Sequence, residues 1–120
     1  VPVNQVRRNG SYAPLSAHYY KDVGLIEAGE RAELLYVRGL AFCAEVLSDG
    51  FISDAQLVRF VGAGMSAVKV RAAALVRTGL WSRDDDAGGY RVRSWATWNL
   101  SREEIEARQR KDSARKAGPP

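Results

Sequence analysis

Apolar positions along the chain switch period from one segment to the next, and each switch marks an element. From Glu30 to Leu47 the residues Leu35, Tyr36, Leu40, Phe42, Cys43, Val46 and Leu47 recur at helical spacing. At ~100° per residue they cover more than half of the circumference and leave Arg31, Arg38 and Glu45 on the remaining arc. So broad an apolar face belongs to a central helix, or to one that also serves a dimer interface. Asp49-Gly50 ends it in a turn. The short β-prone stretch "FIS" follows, and its Ser53 opens "SDAQ", a capping box in which Ser53 and Gln56 each satisfy an orphaned backbone N–H. The helix begun there carries Leu57, Phe60 and Val61 and stops at Gly62. "GAG" (62–64) is a tight break, after which Ser66 is expected to cap a third helix reaching about Thr78, with Met65 stapled against Val70. Val68, Ala72, Leu75, Val76 and Gly79 lie on the inner side of that helix, and Ser66, Val70, Ala73, Ala74 and Arg77 on the outer side.

Beyond Gly79 the period drops to two. With Asp85 to Gly88 as a loop and Asp84 facing Gly89, Trp81 pairs with Val92 and Ser82 with Arg91. Trp81, Tyr90 and Val92 then cover the core while Arg91 and Arg93 face away. Two short helices joined by a glycine-containing turn and followed by a hairpin make a winged helix-turn-helix. The predicted fold is therefore mainly α with a small β-hairpin, a winged helix-turn-helix plus a C-terminal charged helix. Residues 1–29 read as an N-terminal arm, 30–98 as the winged-helix domain and 99–120 as a basic helix or tail. The arm mixes Pro14, Gly24 and aromatics and reads as a short strand or an irregular wrap. In the tail, Ser101 and Glu104 form a second capping box. The helix they open has Ile105 as its only large apolar residue, so it frays alone and orders on a partner.

Composition narrows this further. A chain of 120 residues, 46% apolar, supplies one modest core without a disulfide framework. The lone Cys43 sits in "LAFCAEVL" as a buried small hydrophobe, which points to a reduced, intracellular setting. No apolar run approaches the roughly 20 residues of a membrane span, and "VPVNQVRRNG" has no signal-peptide core, so a soluble protein is expected. Net charge is +4, which tilts the choice of partner toward polyanions. Residues 1–100 carry 12 basic and 10 acidic groups and residues 101–120 carry 6 and 4, so positive charge is concentrated toward the C-terminus.

Catalytic chemistry is poorly supplied. A dyad of His18 and Cys43 would need the arm to meet a buried helix face, and a thiol in apolar surroundings stays protonated. Asp84, Asp85 and Asp86 lack the ligand spacing and terminal glutamate of a calcium loop, and read as a solvated hairpin tip. "GAGMS" lacks the lysine of a phosphate-binding loop. No enzyme, cofactor or metal is expected. Binding of double-stranded DNA is better supplied: Ser66, Lys69, Arg71 and Arg77 on the third helix, Arg83, Arg91 and Arg93 on the wing, and Arg108, Arg110 and Lys111 in the tail. The helix offers no Asn or Gln to read base edges. Three readings follow: phosphate contact through charge, specificity through DNA shape, or a protein-binding surface that uses the small residues around Val70, Ala73 and Ala74 for a second copy, a host protein or a phage protein.

"DGFISDAQLVRF", "VRTGLW" and "GGYRVRSWATWNLSREEIEARQRKDSARK" together resemble the winged-helix proteins of actinobacterial phages and prophages, and more distantly the N-terminal domain of DnaD-type replisome organisers. The likeness spans roughly Leu34 to Lys116. It implies that Gly79, Leu80, Trp81, Gly89, Tyr90 and Trp95 are framework positions. It also implies DNA binding in phage replication or transcription regulation, in the cytoplasm of a bacterial host, with self-association as a dimer.

Overall fold

The computed structural model describes residue 15, residues 17–93, residue 95 and residues 102–116. In chain order the elements are α1 (Val23–Ala28), α2 (Glu30–Val46), β1 (Phe51–Ser53), α3 (Asp54–Gln56) with a π-helical continuation (Leu57–Val61), α4 (Val68–Arg77), β2 (Trp81–Asp84), β3 (Gly89–Val92) and α5 (Arg102–Lys116). Helix α2, strand β1, helices α3 and α4 and the β2–β3 hairpin follow one another as in a winged helix-turn-helix, and the chain is mainly helical with one small antiparallel sheet.

The stretch before α2 is helical where an irregular arm was expected. After a 3₁₀ turn at Tyr19–Lys21, the Asp22 carboxylate accepts the N–H of Leu25 at 3.1 Å and starts α1. This helix packs on α2 and α4 and buries Leu25. Gly24 permits the approach, because a Cβ there would stand 3.2 Å from the Thr78 carbonyl oxygen. Six residues with a glycine in the first turn leave too weak a periodic signal for sequence reasoning.

Helix α2 is the spine. It buries Leu35, Tyr36, Leu40 and Cys43 as its spacing predicts, while Val46 is exposed at its end. Leu47 adopts a left-handed conformation (φ 53°), and Asp49 and Gly50 (φ 55° and 86°) reverse the chain into β1. The Ser53 capping box forms: Gln56 N–H donates to Ser53 Oγ at 3.1 Å and Ser53 N–H to Gln56 Oε1 at 3.0 Å. The helix it opens widens into the π turn, in which Gly62 N–H donates to the Leu57 carbonyl at 2.7 Å. Leu57 and Val61 both point into the core, and Phe60, expected there as well, is left exposed, with its ring stacked on Phe42 at 6.3 Å.

Three local expectations for α4 are corrected. Its N-cap is Ala67 in a left-handed conformation (φ 49°), with no side-chain cap, so Ser66 does not cap it. Val70 is 70% exposed rather than stapled under Met65, and Ala74 is buried rather than outward. Ala72 and Leu75 are fully buried, as their inner positions require.

The hairpin has the predicted register: Trp81 faces Val92, Ser82 faces Arg91, Arg83 faces Tyr90 and Asp84 faces Gly89. Strand β1 adds to the far edge of β3 through Phe51↔Arg91, Ile52↔Tyr90 and Ser53↔Gly89, giving the order β1-β3-β2. Trp81, Val92 and Trp95 close the core over α2 and β1. Ser101, half of the second predicted capping box, lies outside the described residues. Among the described residues no helix is long and apolar enough to cross a membrane.

Candidate nucleic-acid interface

From Ala55 to Arg83 the sequence carries Arg59, Lys69, Arg71, Arg77 and Arg83 and no acidic residue. The helix-turn-helix is thus built from a stretch of one charge sign, and the fold decides where each cation goes. On α4, Lys69, Ala73 and Arg77 recur every fourth residue and all three are exposed, with Val70 beside them. Neither Lys69 nor Arg77 enters an ion pair among the described residues. The small side chain of Ala73 between them lets the helix backbone come close to whatever the stripe meets.

Ser66 stays exposed but is tied to Arg71. Arg71 lies on the half-buried edge of α4, where one Nη donates to the Arg31 carbonyl at 3.3 Å and the other to Ser66 Oγ at 3.2 Å. Together they clamp the helix-turn-helix turn to the start of α2. Arg38 makes a similar clamp that sequence reasoning missed, donating to the Ala63 carbonyl at 3.2 Å and the Phe60 carbonyl at 3.3 Å. The Phe60 carbonyl also accepts the Ala63 N–H at 3.3 Å, so Arg38 ties the end of the π turn to α2.

The wing presents three arginines in two different states. Arg83 donates from each of its three nitrogens: both Nη atoms to the Asp54 carboxylate and Nε to Asp85 at 2.9 Å. Its guanidinium carbon lies 4.9 Å from the Tyr90 ring centroid. Arg91 donates to Asp84 at 3.0 Å and lies 4.9 Å from the Phe51 ring centroid. Arg93, just past β3, is exposed and has no ion-pair partner among the described residues. The hydrogen bonds from Arg83 hold the Asp54 carboxyl below the usual carboxylate range, with Lys69 adding a weaker pull. Asp84 is held down first by the N–H of Ala87, which donates to it at 3.0 Å, and then by Arg91.

The acidic hairpin tip is therefore not simply a solvated loop, because Asp84 and Asp85 are the partners of the two wing arginines. Asp85 and Asp84 lie two and seven residues from their arginines, whereas Asp54 reaches Arg83 across 29 residues of sequence. Between α3, the first turn of α4 and the wing lies a groove of about 540 Å³ that Arg59, Lys69, Arg83 and Asp54 line over Leu57 and Tyr90. No group of three or more His, Cys, Asp or Glu side chains is gathered for a metal among the described residues. Burial pushes the Cys43 thiol up to about 11, with no accessible thiolate at neutral pH. On α5, Arg108, Arg110 and Lys111 are all exposed, and Arg115 pairs with Asp112 at 3.3 Å. Comparison of the chain with protein-family models, with curated proteins and with solved structures finds no match.

Proposed function

We propose that this chain is a non-enzymatic winged-helix protein that binds double-stranded DNA. The observation that carries the reading is the exposed, acid-free stripe Lys69–Ala73–Arg77 on α4, whose two cations make no ion pair among the described residues. A helix with a small central residue and a cation on each side enters a groove with its charges at the phosphates on either wall. Arg93 supports it from the wing, and Arg108, Arg110 and Lys111 from α5. Without Asn or Gln on the stripe, affinity comes from phosphates rather than from a base code. The resemblance to phage winged-helix proteins suggests replication or transcription regulation as the setting, in a bacterial cytoplasm.

Anisotropy titrations of a labelled random-sequence duplex across a salt series test this. The expected outcome is affinity that falls steeply with salt, and a Lys69→Gln/Arg77→Gln variant that weakens binding of every sequence and flattens the log–log salt slope by about 1 per residue. Undetectable or salt-insensitive binding would overturn it. A second reading, docking of a protein or a second copy, is favoured by Val58, Phe60 and Val70, which are all more than half exposed on the helix-turn-helix. Light scattering on the same samples separates the two, since a stable dimer that binds no duplex establishes the second.

A further inference from the structure

Wing arginines are the groups a winged helix would be expected to offer a polyanion, yet here two of the three are already occupied. Every nitrogen of the Arg83 guanidinium donates to a carboxylate, two to Asp54 and one to Asp85, and the Tyr90 ring lies along its face. Arg91 is held more lightly, through Nε to one oxygen of Asp84 at 3.0 Å, with the Phe51 ring along its face. Asp54 presents to the Arg83 guanidinium the same pair of oxygens that a phosphodiester would, which is the geometry Arg takes bidentately, while Asp85 and Asp84 each present one. They are also accessible: the side chains of Asp54 and Asp85 are 56% and 87% exposed. A phosphate that takes Arg83 bidentately must therefore displace an internal carboxylate, whereas Lys69, Arg77 and Arg93 have no carboxylate partner to displace among the described residues.

We infer that Asp54, Asp84 and Asp85 set the strength of polyanion binding, by holding Arg83 and Arg91 as a screened cationic surface that the α4 stripe does not need. This rests on the proposed DNA-binding function and names the residues that limit it. Replacing the carboxylates by amides removes the competing negative charge and one acceptor oxygen of each without removing volume. In Asp84→Asn the remaining side-chain oxygen can still accept the Ala87 N–H, so the loop is retained.

The test is a salt series on a random duplex with the wild-type chain, Asp54→Asn/Asp85→Asn, Arg83→Ala, and the triple variant that combines all three. Asp54→Asn/Asp85→Asn is expected to bind several-fold more tightly at low salt, with a log–log slope steeper by about 0.9, the value of one added phosphate contact. Arg83→Ala in the otherwise wild-type chain is expected to change affinity less than twofold, and in the amide background to cancel the gain. Asp84→Asn, read against Asp84→Asn/Arg91→Ala, gives the same comparison independently if the first pair of substitutions disturbs folding. A gain that persists without the arginine would reflect net charge alone and would overturn the inference, as would an unchanged slope beside salt-sensitive wild-type binding. Failure of both the wild-type and the amide chains to bind at low salt would overturn the inference and the function together.

Discussion

Gly39 shows how one residue sets the position of another far along the chain. It stands in the middle of α2, where glycine costs about 1 kcal/mol relative to alanine. A Cβ there would come 2.8 Å from Trp81 Cζ2 and 3.2 Å from Ile52 Cδ1. Both partners are essentially fully buried, so neither has room to move aside. Gly39→Ala therefore gains about 1 kcal/mol of helix propensity and loses roughly 1–3 kcal/mol to overpacking. A net loss of about 1 kcal/mol is expected in urea denaturation, and a variant as stable as the parent would contradict the packing described. Gly89 plays the matching part in the sheet, since any Cβ there would collide with the Ile52 carbonyl and the Phe51 ring and part β1 from β3.

At the scale of elements, the two helices of the helix-turn-helix are held at their ends by different means. Helix α3 is one α-helical turn followed by the π turn, too short to persist without help, and the Ser53–Gln56 box supplies that help. Ser53→Ala is expected to cost about 1 kcal/mol, with amide exchange at Gln56 quickening before that of α2, because two backbone bonds are tied to the one hydroxyl and its return partner. Equal exchange rates would mean that packing of Leu57 and Val61 suffices. Helix α4 has no side-chain cap and is anchored through Arg71 to α2 and through Ala72 and Leu75 to the core. Its orientation, and hence the outward direction of Lys69 and Arg77, is fixed by that tether.

At the scale of the whole molecule, the cationic side chains named above fall, among the described residues, into a free and a bound population. Lys69, Arg77, Arg93 and the α5 cations Arg108, Arg110 and Lys111 are exposed, while Arg71, Arg83 and Arg91 are committed to internal partners. Under the proposed function, side chains of the first kind contribute to binding and little to stability. An Arg108→Gln/Arg110→Gln/Lys111→Gln variant is accordingly expected to unfold within about 0.5 kcal/mol of the parent. Its duplex affinity at low salt should nonetheless fall, and its salt slope should drop by up to about 3. An unchanged slope would remove α5 from the interface and leave α4 and Arg93 to act without it.

Much of this architecture was determined by the sequence alone, because its signals are short-ranged. The span of α2, the Ser53 box, the break at Gly62 and the register Trp81↔Val92 all depend on neighbours within a few residues or on strict alternation. Helix α1 escaped because six residues carry too little pattern, and Phe60 turned outward because a π turn shifts the phase that a 3.6-residue period assumes. Tertiary structure alone decided which cations are free to act. Arg71 finds the Arg31 carbonyl 40 residues away and Arg83 finds Asp54 at a distance of 29. No local propensity encodes such partners, since a charge-assisted hydrogen bond or ion pair forms wherever packing brings donor and acceptor within a few ångströms, whatever their separation along the chain.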